Sequence, residues 1–507
     1  MHTDALSSRP RQHSIAFKIV AVLVSAFATG FMWRARGSHG FGAMWGMFAV
    51  AAAMCLFFFY VFGDRKKNIY EMFTFTVFAT AVTVGGWGTL NRQMSGFFET
   101  TSLLNEAQTS FVEISPLIGL SIMLMLGFGW MPFFGFLMGR FFTDRSYKIK
   151  DFIFAAVIFY AVHYLFKVSL AHPILDLLHP EAVRLFETGL AENGLDTNTW
   201  LMFLKHFDSM NWAKKLTGGR NYFTTIEVIS NTFAAIALLL YQRFGLKDKL
   251  GVRVNLGSNI VMALSITLAD IFLVMDAGAP YLGGYKPKIF KGYAWSYWEY
   301  FTGFLLGFGL MILFFIADKK LKSKWNVADS FPEIPRKLKA AYNAVFTLSA
   351  GLGLTLIRPF ISRIYEQEFT PTGKRIYHSL EQYNAVIASD PNAAAVYWDI
   401  DVPMVVAYIV ICGVVLAVFS YIVHKNMIRK RLDTPVAMSF SQFCKVTFPV
   451  YFVIVAALYF FTNGADAFNP KQNPISILMF VTFFIVALGI ALLYYIDSRN
   501  KKPFCCQ

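Results

Sequence analysis

Charge is what this sequence has least of. Asp, Glu, Lys and Arg make up 15% of the 507 residues, against 56% hydrophobic ones and a mean hydropathy of +0.49. A single soluble core cannot bury that much apolar surface, so lipid is the expected solvent. Cysteine is scarce too. Cys55, Cys412 and Cys444 fall in or beside apolar runs, where a thiol acts as a small hydrophobe, and Cys505 and Cys506 lie in the tail. The five make no disulfide framework and no metal-ligand spacing, and none stands four from the end as prenylation requires. No P-loop, nucleophile elbow or His-Glu-x-x-His occurs. Nucleotide-driven pumping and the usual hydrolase chemistries therefore have no motif support, and no cofactor or metal is expected.

The apolar runs that remain are far longer than the roughly ten-residue alternating segments of a membrane barrel, so helices are predicted. Spans are expected at 15–33, 41–63, 70–88, 115–139, 151–170, 222–242, 256–275, 295–317, 340–358, 402–424, 443–463 and 473–496. If the N-terminus is inside, the inner segments hold 27 Lys and Arg in 87 residues and the outer ones 16 in 156. That threefold bias is the positive-inside pattern. It places both termini in the cytoplasm and the chain in the plasma (cytoplasmic) membrane as a multi-pass protein. The net charge of +15 is then a topology signal that attracts anionic membrane lipids. It does not point to nucleic acid, because the basic residues are spread over seven short segments. Arg9, Arg11 and Lys18 before the first run, with Ala26-Phe27-Ala28, imitate a cleavable leader, but removal would strand the second span, so 15–33 is kept as span 1.

Two stretches six spans apart can be overlaid. Ile19-Val-Ala-Val-Leu-Val-Ser-Ala-Phe runs beside Ile260-Val-Met-Ala-Leu-Ser-Ile-Thr-Leu, and Gly63-Asp64-Arg65-Lys66-Lys67 after span 2 beside Ala317-Asp318-Lys319-Lys320 after span 8. The expected architecture is an all-α integral membrane protein of about 12 transmembrane helices, in six-helix halves 1–245 and 246–507. The topology and the Asp-Arg-Lys-Lys turn resemble the major facilitator superfamily of secondary transporters. In that superfamily the loop Asp caps a helix and the basic residues lock the halves. The match is partial: Gly63 adjoins Asp64 instead of standing four residues before it, and the long loop between halves is absent. A similar run, Gly139-Arg-Phe-Phe-Thr-Asp144-Arg145, follows span 4. The outer connection 171–221 contains Pro180–Leu190 and Trp200–Phe207, two amphipathic stretches suited to lie on the membrane surface or cover an outer opening.

An ionisable residue inside a span costs roughly 2.5 to 3.5 kcal/mol on insertion scales, so each one is a site candidate. The deepest are His163, Lys167 and Asp270, read as an ion-coupling group for H⁺ or Na⁺ in which Asp270 partners either cation. A larger group gathers toward the outer side: Arg34, Arg36, His39, Arg92, Arg220, Glu227, Asp276, Glu299 and Arg358. Basic residues kept on that side run against the topology rule and suggest a charged vestibule. Trp45 and Trp298 join it as substrate contacts. The aromatic excess near Gly85-Gly86-Trp87-Gly88 and Gly283-Gly284-Tyr285 suits stacking on sugar rings, and the arginine forks suit carboxylate or phosphate.

Two functions fit this pattern. One is a secondary active transporter of a polar, anionic or sugar-containing solute. The other is an integral-membrane transferase or flippase acting on a lipid-linked glycan at the extracytoplasmic face. Enzyme chemistry is the weaker expectation, with Glu299, Asp276 or His39 as acid/base candidates.

Overall fold

The computed structural model describes residues 13–37, 43–63, 69–86, 98–100, 111–143, 145–197, 216–277, 284–288, 293–321, 335–338, 375–377, 380–397, 440–463 and 474–499, with a few isolated positions between them. Helices dominate. They are α1 (Ile15–Gly37), α2 (Ala43–Phe62), α3 (Ile69–Gly86), α4 (Pro116–Phe128), α5 (Pro132–Phe141), α6 (Ile149–Leu165), α7 (Ala171–Leu178), α8 (Pro180–Glu192), α9 (Gly219–Leu240), α10 (Lys249–Ala269), α11 (Ile271–Ala277), α12 (Ala294–Leu321), α13 (Leu380–Ser389), α14 (Phe440–Asn463) and α15 (Pro474–Arg499). Short strands Phe98–Thr100 and Phe111–Glu113 pair antiparallel, and Arg375–Tyr377 pairs in parallel with Ala395–Tyr397. Among the described residues six helices are long and apolar enough to cross a membrane, and the bent pair α4 and α5 makes a seventh. The expected spans 340–358 and 402–424 lie almost wholly outside the described residues.

Contacts between helix ends fix a common frame. His13, at the start of α1, hydrogen-bonds the Val61 carbonyl at 3.0 Å. The Ser441 hydroxyl donates to the Tyr60 carbonyl at 2.7 Å, and Lys445 pairs with Asp497 at 2.7 Å. These define a near end, where α1 and α14 begin and α2 and α15 finish. Arg34 and Arg36 in the last turn of α1 mark the far end. Ser14 caps α1, accepting from the Phe17 N–H at 3.2 Å.

Glycine spacing sets the two tightest helix contacts. A Cβ on Gly303 or Gly307 of α12 would collide with the backbone carbonyl of Thr29 or Ser25 on α1, and the Ser25 hydroxyl donates to the Gly307 carbonyl at 2.8 Å. Gly127, Gly135 and Gly139 stand in the same way against Ala263, Asn255 and Gly251 of α10. Both contacts use the small-x-x-x-small spacing that lets helices approach where lipid gives no hydrophobic drive to association. One apolar core runs through α1 to α6, α9, α10, α12, α14 and α15, so helices on either side of the expected 245/246 boundary share it. A second cluster joins α7 and α8 to α9 through Leu175, Phe186, Leu190, Tyr222 and Ile226.

Two expected spans differ in detail. The run 115–139 is not one straight helix, because α4 and α5 meet at a 49° bend. Pro132 starts a new helix there, and Gly129 lies so close to Asn231 and Thr232 of α9 that a Cβ would stand 2.9 Å away. The run 256–275 begins earlier, at Lys249, and is interrupted at Asp270 before α11. Pro180–Leu190 does form a helix, and it buries Ala182, Val183, Phe186 and Leu190 against α9. Trp200–Phe207 lies outside the described residues.

Candidate functional site

At the far end, α1 delivers Arg34 and Arg36 to one carboxylate. Arg34 Nη1 lies 2.7 Å from Glu299 Oε2, and Arg36 Nη2 lies 3.5 Å from Oε1. The side chains of Arg34 and Glu299 are 14% exposed and that of Arg36 is 7%, so the pairs sit largely out of water. The helix gives these positions a role. Trp33 packs beneath, with the Arg36 guanidinium 5.3 Å from its ring centroid and its Cβ against Gly303. Trp130, in the bend between α4 and α5, meets Trp33 edge-on at 6.0 Å and donates its own N–H to the Val84 carbonyl at 2.9 Å. Tyr459 of α14 acts electrostatically on both Arg34 and Glu299. The Trp33 and Trp298 indoles are buried, and their N–H groups meet no hydrogen-bond acceptor among the described residues. The described side chains that meet here are two guanidiniums, one carboxylate and the Trp33 indole, a set rich in donors.

A second cluster lies between α6 and α9. His163 Nε2 stands 3.3 Å from Glu227 Oε2, Lys167 donates to Glu227 Oε1, and the Asn231 side chain neighbours His163. Lys167 belongs to a π-helical turn, Phe166–Leu170, that follows α6 directly. Asp270, expected beside these cations, is instead buried on α10 at the break before α11. Glu227, expected with the outer arginines, takes the place assigned to Asp270. The reason is angular: α6 packs on α9, whereas α10 packs on α4, α5 and α12.

A third polar group, at the near end, was not signalled by charge within a span. Asp248 caps α10, its Oδ1 accepting from the Gly251 N–H at 2.7 Å and the Thr143 hydroxyl at 2.8 Å, while Oδ2 accepts from the Tyr147 hydroxyl at 2.7 Å. Gln242 donates to the Tyr147 oxygen at 3.2 Å and accepts from Asn255 at 3.0 Å. The buried Arg140 guanidinium lies 5.0 Å from the Tyr147 ring centroid. Burial, with the Asp248 charge beside it, pushes the Tyr147 hydroxyl above the ordinary tyrosine value. The Lys247-Asp248-Lys249 turn did carry a signal, an Asp at the helix start.

Of the other sequence candidates, Trp298 adjoins Glu299 on α12, Asp276 sits on α11 and feels Lys286, and Trp45 and Arg220 lie in the first turns of α2 and α9. His39, Arg92 and Arg358 fall outside the described residues, as does the Asp64-Arg65-Lys66-Lys67 turn. No group of three His, Cys, Asp or Glu side chains among the described residues could hold a metal ion. No protein-family model, curated protein or solved structure matches the chain.

Proposed function

We propose that the protein is a secondary active transporter of a polar anionic solute, with about twelve spans, cytoplasmic termini and the far end facing outward. The observation that carries this reading is the pair of largely buried arginines sharing one glutamate. A guanidinium held largely out of water binds a carboxylate or phosphate by charge-assisted, two-pronged hydrogen bonds, which are stronger there than in water. The indole donor of Trp33 suits a ligand rich in acceptor oxygens. Interruptions at Gly129–Met131 and at Asp270 support transport as well, since broken helices recur where transporters hold their solutes.

The test is current from proteoliposomes adsorbed on a solid-supported membrane, challenged in turn with inorganic phosphate, a sugar phosphate and a sugar acid. At least one should evoke charge movement, and Arg36→Gln should weaken its half-saturating concentration roughly 10- to 100-fold, the loss of one charge-assisted bond. Silence from folded wild-type protein with every anion would remove the reading.

A second reading, a flippase or transferase for a lipid-linked glycan, draws on one feature. An apolar groove of about 340 Å³, lined by Leu124, Phe128, Ile236, Ile260 and Leu264, opens sideways among α4, α9 and α10 and could take an acyl chain. Translocation or glycan transfer on a lipid-linked substrate, with no response to soluble anions, would select it.

A further inference from the structure

α6 turns most of its surface outward, with Ile153, Phe154, Val157, Tyr164 and Leu165 all exposed. Against that apolar face His163 and Lys167 stand out, because each polar group here costs free energy in a lipid setting and needs a partner. Both find the same one. Glu227 of α9 offers one oxygen to Lys167 and the other to His163, and Asn231, one turn along α9, is also a neighbour of the imidazole. The Lys167 turn is π-helical, a local widening that recurs at functional sites more than in plain scaffolding.

We propose that Glu227 and His163 form a proton-binding site whose occupancy is set by the Lys167 charge. With Glu227 ionised, Lys167 charged and His163 neutral the cluster is neutral. One proton passes from hydronium to the unprotonated imidazole nitrogen: an O–H bond breaks, an N–H bond forms and water is released. The resulting imidazolium donates to Glu227 Oε2 and to the Asn231 amide. An amide can present its oxygen or its nitrogen, so Asn231 fits both forms. The charged neighbours acting on His163 are Glu227 and Lys167. Tyr160 and Tyr164 flank it on α6. His172 of α7, six residues past the π-turn's start, is tied to Tyr222 of α9 at 2.9 Å. The elements that also pack on α9 bring Arg140 on α5, Glu181, Arg184, Glu187 and Glu192 on α8, and Lys249, Arg253 and Asp270 along or at the end of α10. α4 brings no ionisable side chain.

The proposal goes beyond the transport reading and is tested without any solute. Infrared difference spectra of the purified full chain in nanodiscs are recorded as pH is stepped from about 5 to 8, the range in which an imidazole titrates. His163→Gln should remove one of the titrating imidazole signals of the wild type. Lys167→Met should shift that imidazole signal to higher pH, because the cation that repels the imidazolium is gone, and Lys167→Met with Glu227→Gln should reverse the shift, because the imidazolium then loses its carboxylate. The double variant leaves no unpaired charge, so it also controls for folding. An unchanged imidazole titration in His163→Gln, or an unshifted one in Lys167→Met, would overturn the proposal. Either result leaves the anion currents untouched as evidence on transport.

Discussion

Replacing Asp248 should be among the most damaging single changes at the near end. Its carboxylate is buried and accepts from Gly251 N–H, the Thr143 hydroxyl and the Tyr147 hydroxyl, so Asp248→Ala strips three donors of their acceptor at once. An orphaned buried donor costs about 1 to 3 kcal/mol, and loss of an N-cap by itself about 0.5 to 2. Water that enters the gap recovers part of this, which leaves a net loss of about 3 to 5 kcal/mol. Asp248→Asn keeps an oxygen for Gly251 and Thr143, and turns its amide toward a Tyr147 oxygen that can accept, so it should cost about 1 kcal/mol. The assay is reversible unfolding in mixed micelles at rising denaturing-detergent fraction, followed by tryptophan fluorescence and repeated in a cycle with Tyr147→Phe. A coupling of about 0.5 to 3 kcal/mol between the two positions is expected. The reasoning fails if Asp248→Ala and Asp248→Asn unfold alike, or if the cycle shows no coupling.

The same network predicts an alkaline limb. Burial beside Asp248 raises the Tyr147 hydroxyl above its unfolded value of about 10, so its stabilising contribution is complete below that pH and declines as pH rises toward the folded value. Tyr147→Phe should flatten the decline in unfolding free energy above about pH 10, and an unchanged slope would mean that another group governs it. Gly307→Val drives two methyls into the Ser25 carbonyl and should lower stability by more than the 1 to 3 kcal/mol typical of overpacking, roughly, because backbone has to move; a melt equal to wild type would contradict the close approach. Glu299→Gln leaves Arg34 and Arg36 without their carboxylate, for a loss of up to about 3 to 5 kcal/mol that added inorganic phosphate should partly restore in a thermal-shift assay. Absence of any phosphate effect would argue that the arginines serve structure alone.

What could be read beforehand follows from what a linear pattern encodes. Apolar run length marks the helices, and α1, α12 and α15 fall close to their expected limits. Depth is also legible, which is why Arg34, Arg36 and Glu299 were grouped by their place at span ends and do converge. Azimuth is not. His163 and Asp270 have similar depths on helices that face different neighbours, and the sequence gives no direction around the bundle, so the carboxylate Lys167 meets came from α9. The bend at Gly129–Met131 had its signals in Gly129 and Pro132, overridden by the hydropathy around them. Gly303-x-x-x-Gly307 and Gly135-x-x-x-Gly139 were equally visible as spacing, and their meaning needed the facing helix. The Asp248 network was hidden for another reason: its members come from a connection, a π-turn and a helix start, none of which stands out as charge within a span.

The seam between α1 and α12 bears on how the chain is made. Ser25 and Gly307 are 282 positions apart, so α1 waits for that length of chain to be made before its partner face on α12 exists. Arg140 likewise precedes Asp248, whose turn completes its surroundings, by 108 residues and the four helices α6 to α9. Until then, glycine faces and a cation must be tolerated in an unfinished bundle, shielded by lipid, translocation machinery or a chaperone. Synthesis order therefore ties early helices to late ones: a chain halted after α9 would hold α1 without the α12 face against which it packs.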